Sequence, residues 1–497
     1  MPTSITGATA TGSDLPTILQ EIVADRRARL PEIRQRIAHV DPTRLPASTR
    51  SLYTALGGWE PEGRSRNRFI MECKSASPSL GSIRPDYHPG DLARIYSRYA
   101  AAISVLCEPD HFRGDYTHLA TVAASTHLPV LCKDFIIDPV QIHAARYFGA
   151  DAVLLMLSVL NDAEYRELAD AAEALGLDVL TEVVTEEEVR RAVHLRARII
   201  GINHRNLHDL SIDLDRSRRL AALLPDDAVV VAESGIRDHR TVVEIGARAH
   251  GFLVGSQLTG QPDVDLACRE LVFGRAKVCG LRTGAEAQAA RAAGASYGGL
   301  IFAEDSPRNV SRETALSIMA GEPGLRYVAV SRRSQGWEEL AAIPGIHALQ
   351  VQAPTCATAA EERQLLESVA RQAGEVPLWR AVSIATQRDA NLAAEVASWT
   401  DLVSTVVLDT GRGGTGTSFD WSLIPANHRE RYLLAGGIGP DTIVAAAQTG
   451  CGGVDLNSRV EYPPSADTWA GHKDPAAITH CLTALRHASA PIVERNS

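Results

Sequence analysis

The chain has 497 residues, a net charge of −10 at pH 7, 45% hydrophobic and 5% aromatic residues. That length suits two barrels of about 250 residues each, and the acidic balance excludes a basic nucleic-acid face or a polybasic membrane anchor. No apolar run reaches the ~18 residues that a membrane-spanning helix needs.

The opening MPTSITGATATGSDLP lacks a charged segment followed by an apolar one, so no signal peptide is expected. The eight cysteines, Cys73, Cys107, Cys132, Cys268, Cys279, Cys356, Cys451 and Cys481, show no CxxC spacing. Scattered thiols of this kind point to a reduced, cytoplasmic protein rather than a disulfide scaffold or a zinc site.

Residues 15–37 read as an amphipathic helical stretch interrupted at Pro31. Short apolar runs then recur: FIMECK (69–74), AISVL (102–106), PVLCK (129–133), AVLLML (152–157), DVLTE (178–182), IIGIN (199–203), VVVAE (229–233) and GFLVG (251–255). Ala/Leu/Glu/Arg-rich segments such as 162–175 separate them, which predicts parallel βα units. The series then restarts with KVCG (277–280), GGLIF (298–302), YVAVS (327–331), ALQVQ (348–352), LWRAV (378–382), TVVLD (405–409), YLLAG (432–436) and GVDLN (453–457). Two sets of eight predict an α/β protein with two tandem (β/α)₈ barrels of the TIM type in one chain. Two open doubly wound sheets are the alternative architecture.

Residues 234–256 align without a gap to 436–458, both running from the end of a seventh strand to the end of an eighth. The predicted domains are 1–275, a barrel with an N-terminal helical extension, and 276–497, a second barrel. GRGGTG (411–416) fits GxGxxG, but SFDWSLI follows instead of an apolar helix, so dinucleotide binding is not expected.

Barrel chemistry sits at the C-terminal ends of strands. In the first half these ends carry Glu72 and Lys74 (spaced by two, hence on one face), Lys133, Glu182, Asn203 with Arg205 just beyond, and Glu233. Two lysines opposed by three glutamates suit an anionic substrate and acid–base catalysis. The loops after strands seven and eight, where this fold cradles phosphate, hold Ser234-Gly235 and Gly255-Ser256. In the second half, the corresponding small pairs are Gly436-Gly437 and Asn457-Ser458, with Cys279, Arg308 and Asp409 as candidate chemical groups. A thiolate base and a carboxylic acid could move a proton between adjacent carbons of a sugar phosphate.

These residues carry two family resemblances. ECKSASPS (72–79), CKDFIID (132–138), LTEV (180–183), GINHRNL (201–207), AESGI (232–236) and FLVGS (252–256) resemble indole-3-glycerol phosphate synthase across residues 15–270. KVCGL (277–281), YGGLIF (297–302), SPRNV (306–310), LDTGRGGTGTSFDW (408–421), LAGGIGPD (434–441) and GVDLNS (453–458) resemble phosphoribosylanthranilate isomerase across 277–490. The order matches the fused enzyme of tryptophan biosynthesis in enteric bacteria.

The resemblance implies that Lys133 is the general acid of ring closure and Glu182 the base of dehydration. Lys74 would hold the anthranilate carboxylate or act in the dehydration. Glu72, Asn203 and Glu233 would orient these groups with Arg205 in support. Ser77, Ser234, Gly235, Gly255 and Ser256 would hold phosphate. In the second half Cys279 would be the base, Asp409 the acid and Arg308 a substrate anchor, with Gly436, Gly437, Asn457 and Ser458 on the phosphate. The implied substrates are phosphorylated anthranilate sugars, converted by a monomer without a metal or cofactor. An active synthase beside a second barrel that is structural or has altered specificity is the alternative. Two positions depart from the isomerase pattern: Gln352-Ala353 replaces a His-Gly pair, and Arg459 stands where a small residue is usual.

Overall fold

The computed structural model describes residues 17–58, 67–206, 210–411 and 418–489. It divides into two compact units, residues 1–237 with 244–268, and residues 238–243 with 269–497. In the first unit the barrel strands are β1 (Arg68–Cys73), β2 (Ala102–Leu106), β3 (Val130–Lys133), β4 (Ala152–Met156), β5 (Asp178–Val183), β6 (Ile199–Asn203), β7 (Val229–Glu233) and β8 (Gly251–Val254). In the second they are β9 (Arg275–Cys279), β10 (Tyr297–Phe302), β11 (Arg326–Ser331), β12 (Ile346–Val351), β13 (Leu378–Ser383), β14 (Thr405–Asp409), β15 (Tyr432–Leu434) and β16 (Gly453–Leu456).

Each set closes on itself, which removes the open-sheet alternative. β1 pairs in parallel with β8 through Arg68↔Gly251 and with β2 through Ile70↔Ala102. β9 pairs with β16 through Arg275↔Gly453 and with β10 through Lys277↔Tyr297.

Alternation along each strand decides what fills the barrels. Ile70, Ala102, Leu131, Leu154, Leu180, Ile199, Val231 and Leu253 form one buried cluster, each fully buried aliphatic side chain contributing about 1.5–3 kcal/mol. Two residues further along the same inward tracks come Glu72, Lys133, Glu182 and Glu233, so the period of two that builds the core also carries charge to its C-terminal rim. Helices between strands start on local signals. Asn161 with Glu164 and Thr283 with Glu286 form capping boxes that satisfy otherwise unpaired N–H groups.

Pro31 does not interrupt the first helix, which runs continuously over Thr17–Arg36. The proline and Arg27, whose carbonyl loses its partner, are exposed, so water can take up that bond. Leu30, Ile33 and Ile37 are buried on the opposite face and hold the helix in place. Of the GRGGTG segment, residues 412–416 lie outside the described residues.

Candidate active sites

At the first rim the charged side chains meet directly. Lys74 Nζ lies 2.6 Å from Glu72 Oε1, and Lys133 Nζ lies 3.5 Å from Glu72 Oε2 and 2.9 Å from Glu233 Oε2. Asn203 Nδ2 donates to Glu182 Oε1 at 3.0 Å, while Asn203 Oδ1 accepts from the Arg205 backbone N–H at 3.0 Å. Glycines make room for two of these carboxylates. A Cβ on Gly255 would come within 2.4 Å of Glu72 Oε1, and one on Gly201 within 2.1 Å of Glu233 Oε1.

Burial and neighbours separate the acids from one another. Burial opposes ionisation of Glu72, but Lys74 and Lys133 outweigh it and hold its pKa below the usual carboxylate value. Burial and the nearby Glu233 push Glu182 up to about 7, against the opposing pull of Lys133 and Asn203. Burial works against the Lys133 charge, yet Glu233, Glu72 and Glu182 together raise its pKa. Two kinds of group result: a lysine that stays protonated and a carboxyl that titrates near neutrality.

A cleft of about 950 Å³ opens above them. Glu72, Lys74, Ser77, Lys133, Glu182, Asn203, Arg205, Ser234 and Ser256 line it; Glu233, Gly235 and Gly255 do not. Glu233 lies just beneath, 1% exposed, holding Lys133. Ser234 and Gly235 both adopt left-handed backbone, with φ of 67° and 76°. Ile18, Leu19 and Ile22 of the first helix cover the cleft. That helix is tied down by a buried ion pair between Arg26 and Asp134, whose carboxylate also accepts from the Tyr116 hydroxyl at 3.0 Å.

The second rim holds a cavity of about 720 Å³ lined by Cys279, Arg308, Asp409, Gly436, Gly437, Asn457 and Ser458, which brings together all seven candidates from this half. Asp409 Oδ1 accepts the Thr410 backbone N–H at 2.7 Å and Oδ2 accepts Gln352 Nε2 at 3.3 Å. Burial, with Asp455 nearby, pushes Asp409 up to about 6. The Cys279 thiol is also raised, by burial first, with Lys277 and Lys473 pulling the other way. The thiol is therefore not depressed, and Lys277 and Lys473 are the groups that favour its thiolate.

Several polar neighbours of the candidate residues were not singled out as site residues in the sequence. Lys277, fully buried, donates to Asp455 Oδ2 at 2.7 Å and to Gln350 Oε1 at 2.8 Å. Gln350 in turn donates to Gln352 Oε1 at 2.8 Å, so a polar chain runs from beneath Cys279 to Asp409. The signal for Lys277 was its place two residues before Cys279, on the same inward track. Of the departures from the isomerase pattern, Gln352 lines the cavity and contacts Asp409, whereas Ala353 and Arg459 stand outside it. Ala353 has no positive φ, and its carbonyl accepts Arg380 Nη1 at 2.8 Å. Arg459 is exposed, packs its Cβ over Gly439 and does not line the cavity.

The fold, with a cluster of ionisable side chains at the C-terminal rim of each barrel, defines a tandem (β/α)₈-barrel enzyme. Residues 19–271 match the family described as indole-3-glycerol phosphate synthase, and residues 276–482 match that of N-(5′-phosphoribosyl)anthranilate isomerase. The chain belongs to these two families, joined in a single polypeptide. It is 60% identical to the "Tryptophan biosynthesis protein TrpCF" of Corynebacterium glutamicum, over 94% of this chain and 97% of that one. The protein of the same description from Yersinia pestis is 41% identical, over 95% of this chain and 94% of its own. Among solved structures, a phosphoribosylanthranilate isomerase from Thermotoga maritima is 26% identical, covering 43% of this chain and 98% of its own, with a TM-score of 0.34.

Proposed function

We propose that the second barrel isomerises N-(5′-phosphoribosyl)anthranilate to the 1-(2-carboxyphenylamino)-1-deoxyribulose 5-phosphate, and that the first barrel cyclises this product to indole-3-glycerol phosphate. The observation that carries the reading is the membership of each half in the corresponding family, and the acid–base groups at both rims support it. In the second barrel Asp409 donates a proton to the ribose ring oxygen, opening the ring to an iminium. Cys279 then takes the proton from C2′, and the enolamine so formed tautomerises to the ketose. A carboxyl raised by burial suits the donor. Arg308 anchors the substrate, and the backbone around Gly436, Gly437, Asn457 and Ser458 receives the phosphate.

In the first barrel Lys133 protonates the ketone oxygen while the aryl carbon bearing the carboxylate attacks C2′. Carbon dioxide leaves and restores the aromatic ring. Water is then lost: Glu182 accepts a proton from C1′ while the hydroxyl on C2′ departs with a proton given by Lys74. Glu72, Asn203 and Glu233 orient these groups with Arg205 in support, and Lys74 faces the carboxylate. Ser77, Ser234, Gly235, Gly255 and Ser256 hold the phosphate. We place the division between the two catalytic units at residues 275 and 276. Each set of site residues comes from one unit, which supports a monomer, and the eight scattered cysteines suit a cytoplasmic enzyme. Among the described residues no helix is long and apolar enough to cross a membrane.

Supplying phosphoribosylanthranilate to the purified protein and identifying products by mass tests the whole reading, with indole-3-glycerol phosphate as the expected product. Formation of that product only from the deoxyribulose phosphate would reduce the second barrel to a structural role. A pH profile tests Glu182. Its pKa is raised on folding from 4.5 to about 7, so its contribution to stability is complete below about pH 4.5 and is lost as pH rises through 7. Activity runs the other way, because a base must be ionised. The synthase kcat/KM should fall about tenfold per pH unit below about 7. A limb near 4.5 instead would remove Glu182 from that role.

A further inference from the structure

The loop after β16 carries a contact outside the roles assigned above. Glu461 and Lys473 face each other across an isolated antiparallel bridge. Glu461 Oε1 accepts Arg308 Nε at 2.6 Å, and Oε2 accepts Arg308 Nη2 at 2.8 Å. From the other side Lys473 Nζ donates to Glu461 Oε1 at 2.7 Å, to Asn457 Oδ1 at 2.9 Å and to the Asn457 carbonyl at 3.1 Å. All three ammonium donors are thereby used, so the lysine is fixed and fixes the carboxylate. The Glu461 and Lys473 side chains are 8% and 1% exposed. Neither lines the cavity, whereas Arg308 does.

A guanidinium has five N–H donors in one plane. The Glu461 contact takes the Nε side and leaves the Nη1–Nη2 edge, which can meet a second oxyanion through two parallel bonds. We propose that Glu461, held by Lys473, is a positioning residue that aims this remaining edge of Arg308 at the aryl carboxylate of the substrate. The proposal rests on the isomerase reading of the second barrel. The carboxylate is the group in question because the phosphate already has the small-residue loops after β15 and β16.

The test compares Glu461→Gln with the wild type on two substrates, phosphoribosylanthranilate and the N-phosphoribosylaniline that lacks the carboxylate. The glutamine keeps the shape but loses the charge and one of the two acceptors. Its KM for phosphoribosylanthranilate should rise about tenfold, with kcat changed less than about threefold, and its KM for the aniline analogue should barely move. Glu461→Asp, which restores the charge, should recover part of the loss, and it carries the same comparison if the glutamine variant does not fold. An equal rise with both substrates, or no rise at all, overturns the proposal. A wild-type protein inactive on phosphoribosylanthranilate would instead overturn the isomerase reading beneath it.

Discussion

Replacing Lys133 by alanine is expected to slow the synthase reaction by about 10²- to 10⁴-fold, the range of a lost general acid, while isomerisation by the same chain continues. The geometry gives the reason. Lys133 Nζ touches Glu233 and Glu72 at 2.9 and 3.5 Å, and no other ammonium reaches both carboxylates among the described residues. Glu72 would keep Lys74 at 2.6 Å, but Glu233 would stay buried without its cation. Loss of one partner of a buried pair costs about 3–5 kcal/mol, so the melting temperature of the variant has to be measured beside its rate. Lys133→Met removes the charge while filling most of the space, and it should be equally slow. A folded variant that retained a rate within tenfold of wild type would assign the acid elsewhere, with Lys74 the first candidate. Glu182 adds a second readout: Lys133 holds its pKa down, so any residual activity in the variant should show its acidic limb at higher pH.

Asp409→Ala is expected to do the reverse. Isomerisation should fall by a similar factor of about 10² to 10⁴, and the synthase should work at its normal rate when given the deoxyribulose phosphate. This substitution breaks no ion pair, since the described contacts of Asp409 are the Thr410 N–H and the Gln352 amide. Its stability cost should accordingly be smaller than that of Lys133→Ala. Asp409→Asn separates proton transfer from positioning: the amide oxygen can still accept from Gln352, but the side chain has no acidic proton to give. It should be as inactive as the alanine variant. Assays of each half-reaction on both purified variants check the pair. If either folded variant loses both activities, the two sites do not act independently.

Both substitutions were legible in the sequence because a barrel strand declares its inward face by alternation. Leu131 to Lys133, Leu180 to Glu182 and Val407 to Asp409 each step from core to rim in two residues, and all sixteen strands fall within two residues of the predicted runs. The small pairs after the seventh strands were visible for a related reason: left-handed backbone such as that of Gly235, Gly436 and Gly437 favours glycine. After the eighth strand of the first barrel, Gly255 instead leaves room for the Glu72 carboxylate. The interrupted first helix was misread because a local rule about proline cannot weigh the burial of Leu30, Ile33 and Ile37 on the far face.

By itself, then, the sequence determined the number of strands, the faces they present and the residues that end each inward track. These follow from the local geometry of an extended chain and from which side chains water excludes. Tertiary structure alone decided barrel closure, the seating of the first helix over the cleft through Arg26 and Asp134, and the ionisation of the site. Glu182 is raised while Glu72 is lowered, although both are glutamates at strand ends. Arg308 meets Glu461 across 153 positions of chain. Pairings of that kind depend on which charges the closed barrel brings together and how far it removes them from water, and no local pattern carries that information.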